Sequence, residues 1–183
     1  MTSTGERNQE WRKKDRMRSK FAIAGHPIHP MLVALPIGLY IWALVSDVVY
    51  LARDRDALWY DISFWTSIAA IATALLAALP GFGDYFTMAV RSDARGTATT
   101  HMILNLTSTS LFIIAVLLMR DRGALDGGRW TIVLLLQLLA VGLLSVSGWL
   151  GGEMVFKHHL AMVPDDEASA AVEQTRHAAR PEL

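Results

Sequence analysis

Hydrophobic and polar positions in this chain are segregated into long blocks. Four stretches almost free of charge, Pro30–Tyr50, Ile62–Leu79, Met102–Met119 and Trp130–Leu150, alternate with charged segments that carry Gly and Pro. Each block is close to the roughly 20 apolar residues that a helix needs to cross a bilayer. Asp47 is the one charge inside the first block, and Gln137 is the strongly polar residue of the fourth. Buried soluble helices rarely reach this length four times in so short a chain. The pattern predicts an all-α, integral membrane, up-down-up-down four-helix bundle, because short connections make sequential helices antiparallel neighbours.

Breaker residues place the helix ends. Pro30 suits a first helical turn, where its missing N–H costs nothing, and Pro36 should bend the first span. The second helix is expected to stop at Pro80-Gly81, with Gly81–Phe86 as a loop. Ala94–Thr100 leads into the third helix, and Asp126-Gly127-Gly128 is a turn signal before the fourth, which runs from Trp130 to about Phe156. The chain divides into a basic arm (1–22), a transmembrane domain (23–163) and a tail (164–183). Trp11–Phe21 could lie on anionic lipid as an interfacial helix or serve as a basic tail that only sets topology. No internal repeat is visible.

Charge sets the orientation. The chain of 183 residues carries 17 Lys and Arg against 17 Asp and Glu. Four spans place both termini on one side. That side collects twelve of the Lys and Arg residues, and the other collects five: Arg53, Arg55, Arg120, Arg122 and Arg129. The positive-inside rule makes the termini cytoplasmic and the membrane the inner one. Trp59, Tyr60 and Trp130 then flank the outer ends, where aromatic rings favour the headgroup region. Asp47 would pair with Arg53 or Arg55 or reach the outer interface. No cysteine is present, which excludes disulfides, thiolate metal sites and thioether-linked haem.

Candidate chemistry sits at the cytoplasmic helix ends. His26 and His29 precede the first apolar block, His101 opens the third, and His158 and His159 close the fourth. The topology brings these five to one layer, together with Asp84 and Glu153. Intramembrane ionisable groups tend to mark functional sites, and imidazole is the commonest metal ligand among side chains. Asn105 lies one turn from His101 on the same face, continued by Ser108 and Phe112, so it could orient an imidazole or bridge helices. Ser145, Gly148 and Gly152 give the fourth helix a small-residue side. Helical extrapolation puts His159 nearer that side than His158.

These residues resemble a family. Gly25-His26-Pro27-Ile28-His29-Pro30, His101 with Asn105, and Gly151-Gly152-Glu153-Met154-Val155-Phe156-Lys157-His158 are similar to the bacterial membrane proteins catalogued as domain of unknown function 2231, over about Ile23–Met162. The resemblance implies a four-helix membrane domain. Some relatives carry a Rieske-type domain on the same chain, and the arrangement is distantly similar to two-histidine b-type cytochrome bundles, which implies a redox setting. The matched positions are His26, His29, Asp84, His101, Asn105, Glu153 and His158, so the resemblance selects His158 over His159.

The expected function is an inner-membrane redox module. It binds b-type haem through His26, His29, His101, Asn105 and His158, and exchanges electrons with a Rieske-type or other redox protein or a quinone. The axial pair is expected to be His101 with His29 or His158, with His26 as a secondary group. A second reading is a Zn, Fe or Cu ion held by His29, His101, His158, His159, Asp84 and Glu153. A third is a cofactor-free scaffold with structural or pH-sensing histidines. The lipid bilayer is the one partner common to all three. Self-association is compatible with each, nucleic-acid binding with none, and no nucleophile–base pair or phosphate loop names a reaction.

Overall fold

The computed structural model of the protein describes residues 19–87, 93–121, 127–158 and 160. A two-stranded hairpin, β1 (Ala22–Ile23) and β2 (His26–Pro27), precedes five helices: α1 (Ile28–Leu32), α2 (Ala34–Ala52), α3 (Ala57–Thr87), α4 (Arg95–Met119) and α5 (Gly127–Phe156). Four helical segments, with α1 and α2 counted as one, are long and apolar enough to span a membrane. The architecture is the expected all-α four-helix membrane bundle.

The division between α1 and α2 has a cause in Pro36. Its ring crowds the carbonyl one turn earlier and it donates no hydrogen bond there, and the helix is interrupted at Val33. Helix formation begins at Ile28, ahead of the expected Pro30, with extended Pro27 as its N-cap. The β-hairpin was not foreseen. Its turn uses Ala24 (φ 49°) and Gly25 (φ 80°), both left-handed, as tight hairpins require. Glycine accepts that conformation freely and alanine does not.

Three expected boundaries are corrected. Pro80-Gly81 does not end the second helix: α3 continues through Pro80 to Thr87. In a membrane, neighbouring groups can re-satisfy backbone freed by proline. The glycines after Pro80 also let side chains from the N-terminal segment approach α3 closely. A Cβ on Gly81 would sit 2.8 Å from His29 Nδ1, and one on Gly83 would collide with the Phe21 ring. These glycines are docking surfaces, not turn residues. Likewise, Gly127 and Gly128 open α5, and α4 begins at Arg95, before His101. The arm up to residue 18, the tail from residue 161 and Asp126 lie outside the described residues.

Packing inverts the soluble pattern. The interior is built from Ala43, Ala70, Ala77, Ala115 and Ala140 with buried serines, while Leu79, Trp65, Leu117, Leu135, Trp149 and Phe156 point outward. Small residues let helices approach closely where lipid offers no hydrophobic drive to bury large ones. Two apolar clusters fill the core. One holds Tyr40, Ala43, Ala70, Phe112, Ala140 and Leu144. The other, at the end away from the histidines, holds Tyr60, Ala115, Met119, Trp130 and Val133. Tyr60 and Trp130 are thus internal, not the interfacial rings expected, and the Tyr60 hydroxyl donates to the Met119 carbonyl.

Packing is densest within two antiparallel hairpins, α2 with α3 and α4 with α5. The hairpins repeat one another, although the sequence does not reveal it. His29, Tyr40 and Ala43 on the first span are spaced like His101, Phe112 and Ala115 on α4. Tyr60, Ser67, Ala70 and Ala77 on α3 are spaced like Trp130, Gln137, Ala140 and Ser147 on α5. Apart from His29 and His101, which are partly exposed, every one of these residues is buried. Equivalent residues meet across the seam: Tyr40 stacks on Phe112 with ring centres 4.2 Å apart, and Tyr60 lies 6.0 Å from Trp130. The bundle has the form of a parallel repeat about an axis along its length.

Candidate functional site

At the histidine end the two hairpins separate around a cavity of about 420 Å3. That size is ordinary for a small-molecule or cofactor site. His29 enters from the first hairpin and His101 from the second.

Both histidines are held in the same way. His29 Nδ1 donates to the Ala77 carbonyl at 2.8 Å, and its ring rests on Gly81, one turn further along α3. His101 Nδ1 donates to the Ser147 carbonyl at 2.8 Å, and its ring lies against Gly151, one turn further along α5. A carbonyl only accepts, so Nδ1 carries the proton in each ring. The lone pair of each neutral imidazole is therefore on Nε2. The two rings are 6.4 Å apart between centres and perpendicular.

Asn105 supports the second histidine. Its amide nitrogen is 2.9 Å from the His101 carbonyl, 3.1 Å from His101 Nε2 and 2.5 Å from Ser147 Oγ. Below the histidines, the Tyr40 hydroxyl donates to Thr109 Oγ1 at 3.3 Å. Asp84 lines the cavity and accepts from Ser19 Oγ at 2.6 Å, which ties the N-terminal segment to α3. Gly148 and Gly152 also line the cavity, and a Cβ on either would meet nothing within 4 Å.

The cavity thus gathers His29, His101, Asn105 and Asp84 from the expected set. Other expected residues lie elsewhere. His26 is exposed, with Nδ1 donating to the Ala24 carbonyl at 3.0 Å. Glu153 pairs with Lys157 at 2.7 Å, and His158 follows the end of α5 off the cavity wall. His159 lies outside the described residues. Among the described residues, no three His, Cys, Asp or Glu side chains gather to hold a metal ion.

Ser147 and Ser19 were not singled out from sequence. Serine is common at membrane-helix contacts, and only the spacing of Ser147 to Gly151, matching Ala77 to Gly81, could have drawn attention to it. Ser145, which was singled out, is exposed and bonds back to the Val141 carbonyl. Asp47 is corrected too: it is fully buried rather than paired with Arg53 or Arg55.

No curated protein and no solved structure shows significant similarity to the chain. Residues 25–164 match the family described as predicted membrane protein DUF2231. The match covers all four spans and both cavity histidines, and the chain belongs to that family.

Proposed function

We propose that the cavity binds b-type haem, which His29 and His101 would hold, and that the protein is an electron-transfer module of the inner membrane. The observation that carries this reading is the 6.4 Å separation of the two rings. Metal–imidazole bonds are about 2.0–2.1 Å, so two rings at this separation could hold one metal between them. The Nδ1–carbonyl bonds also support the reading, since ligating histidines commonly donate their other nitrogen to such a group.

Fit extends to the walls. Gly148 and Gly152 leave a flat face on α5 for a planar ring, and the two equivalent histidines approach the cavity from the two hairpins, so a symmetric ligand would meet one from each side. On this reading Asn105 gives up its contact with His101 Nε2 and keeps those with Ser147 and the His101 carbonyl. Bound haem supplies one-electron chemistry at a potential tuned by axial ligands and burial. Ala77, Ser147, Gly81 and Gly151 would orient the rings, and the cavity's apolar lining would exclude water. The partner is a redox protein or a quinone at the same end of the bundle.

The test is the visible spectrum of protein purified from haem-replete cells. A Soret band, with sharpened visible bands on dithionite reduction, is expected. Colourless protein from such cells would overturn the proposal. Orientation is tested separately. Reporters fused at Gly127 and at the C-terminus should give opposite sidedness, with the C-terminus cytoplasmic, as the Lys and Arg distribution requires. A periplasmic C-terminus would reverse the assignment.

A further inference from the structure

The half of the bundle away from the histidines holds a second polar group, which haem binding does not use. Asp47 on α2, Ser63 and Ser67 on α3, and Gln137 on α5 are all completely buried. Both Asp47 oxygens, both serine hydroxyls and both amide atoms of Gln137 lack a hydrogen-bond partner among the described residues. Ser63 stands beside Asp47, short of hydrogen-bonding geometry.

Helical register places these residues in one zone. Asp47 lies between Ala43 of the first apolar cluster and Tyr50, which packs on the second. Ser63 and Ser67 lie between Tyr60 and Ala70, one turn apart on the same face of α3. Gln137 lies between Val133 and Ala140. A polar zone is therefore enclosed between two apolar clusters.

Packing does not demand this polarity. In the hairpin repeat, Met119 is equivalent to Asp47 and Val133 to Ser63, and both are buried and apolar. The first hairpin departs from the second by introducing a carboxyl group and a hydroxyl at these points. A buried carboxylate without a counter-charge is strongly unfavourable, and an ionisable residue within a membrane bundle commonly marks an ion site.

We propose that Asp47, Ser63, Ser67 and Gln137 form a binding site for one dehydrated monovalent cation of the sodium type. The available donors are all oxygens: two from Asp47, one from each serine and one from the Gln137 amide. Oxygen ligands suit hard cations. One carboxylate neutralises one positive charge, whereas a divalent ion would leave net charge in the interior. A proton on Asp47 would remove its charge but add a single hydrogen-bond donor, whereas a cation can accept lone pairs from all of these oxygens together.

Thermal unfolding of the detergent-purified full chain tests this, with NaCl exchanged for LiCl, KCl or choline chloride at constant ionic strength. A ligand that binds only the folded state raises Tm in a saturable, concentration-dependent way. Sodium is expected to raise Tm above the choline value, with lithium or potassium weaker. Asp47→Asn keeps the shape and removes the charge, so apparent sodium affinity should fall roughly tenfold or more. If that variant does not fold, Ser67→Ala should show a weaker sodium response. Equal Tm in all four salts would overturn the proposal, as would a sodium response that both variants retain in full.

Discussion

His101→Ala should insert into the membrane and remain helical yet lose the Soret band expected of the wild type. Alanine removes the Nε2 lone pair, and no other described histidine on α4 or α5 lines the cavity. The four spans depend on apolar length, not on this side chain, so far-ultraviolet circular dichroism should be unchanged. His29→Ala should have the same effect, because its ring is held by the matching device on α3. His26→Ala and His158→Ala should keep the spectrum, since neither lines the cavity. A spectrum lost in His158→Ala but kept in His29→Ala would refute the axial pair.

Phe112→Ala is expected to have the largest effect on stability. Phe112 is fully buried at the centre of the first apolar cluster and stacks on Tyr40 across the seam. Truncating a buried Phe costs about 3–5 kcal/mol in water-soluble cores. Lipid tails reduce the transfer part of that cost, which leaves about 3 kcal/mol as the expectation, dominated by lost packing. The void would extend the cavity beneath Tyr40. Unfolding in graded SDS should show the shift, and a loss below about 1 kcal/mol would mean that the seam repacks.

Much of this architecture was legible in the chain. Four uncharged blocks are hard to satisfy outside a bilayer, so span number and antiparallel order followed from length alone. The convergence of His29, His101, Asn105 and Asp84 followed from topology. Helix ends were less legible, because rules for proline and glycine assume that water or a turn must take up freed backbone groups. Around Pro80, His29 and Phe21 occupy the space instead. His158 was misplaced because the helix ends at Phe156, and a helical wheel has no meaning beyond that point. Glu153 is still on the helix, but it faces away from the cavity and pairs with Lys157 one turn on. The hairpin repeat was hidden because the two halves match in burial rather than in residue type, as with Tyr40 and Phe112 or Ser67 and Gln137.

That repeat bears on how such a molecule could originate. Each hairpin already contains a complete half-site: a histidine, a carbonyl to fix its tautomer and a glycine to seat its ring. Two identical hairpins side by side would present two such histidines across their dyad. On the proposed reading, a short ancestral chain of one hairpin could therefore have held the same ligand as a homodimer. Fusion of two copies would have freed each half to diverge, and Asp47 opposite Met119 is the kind of difference that only a fused pair can keep. A single-chain protein with two copies of the second hairpin should accordingly retain the cavity while lacking the buried carboxyl.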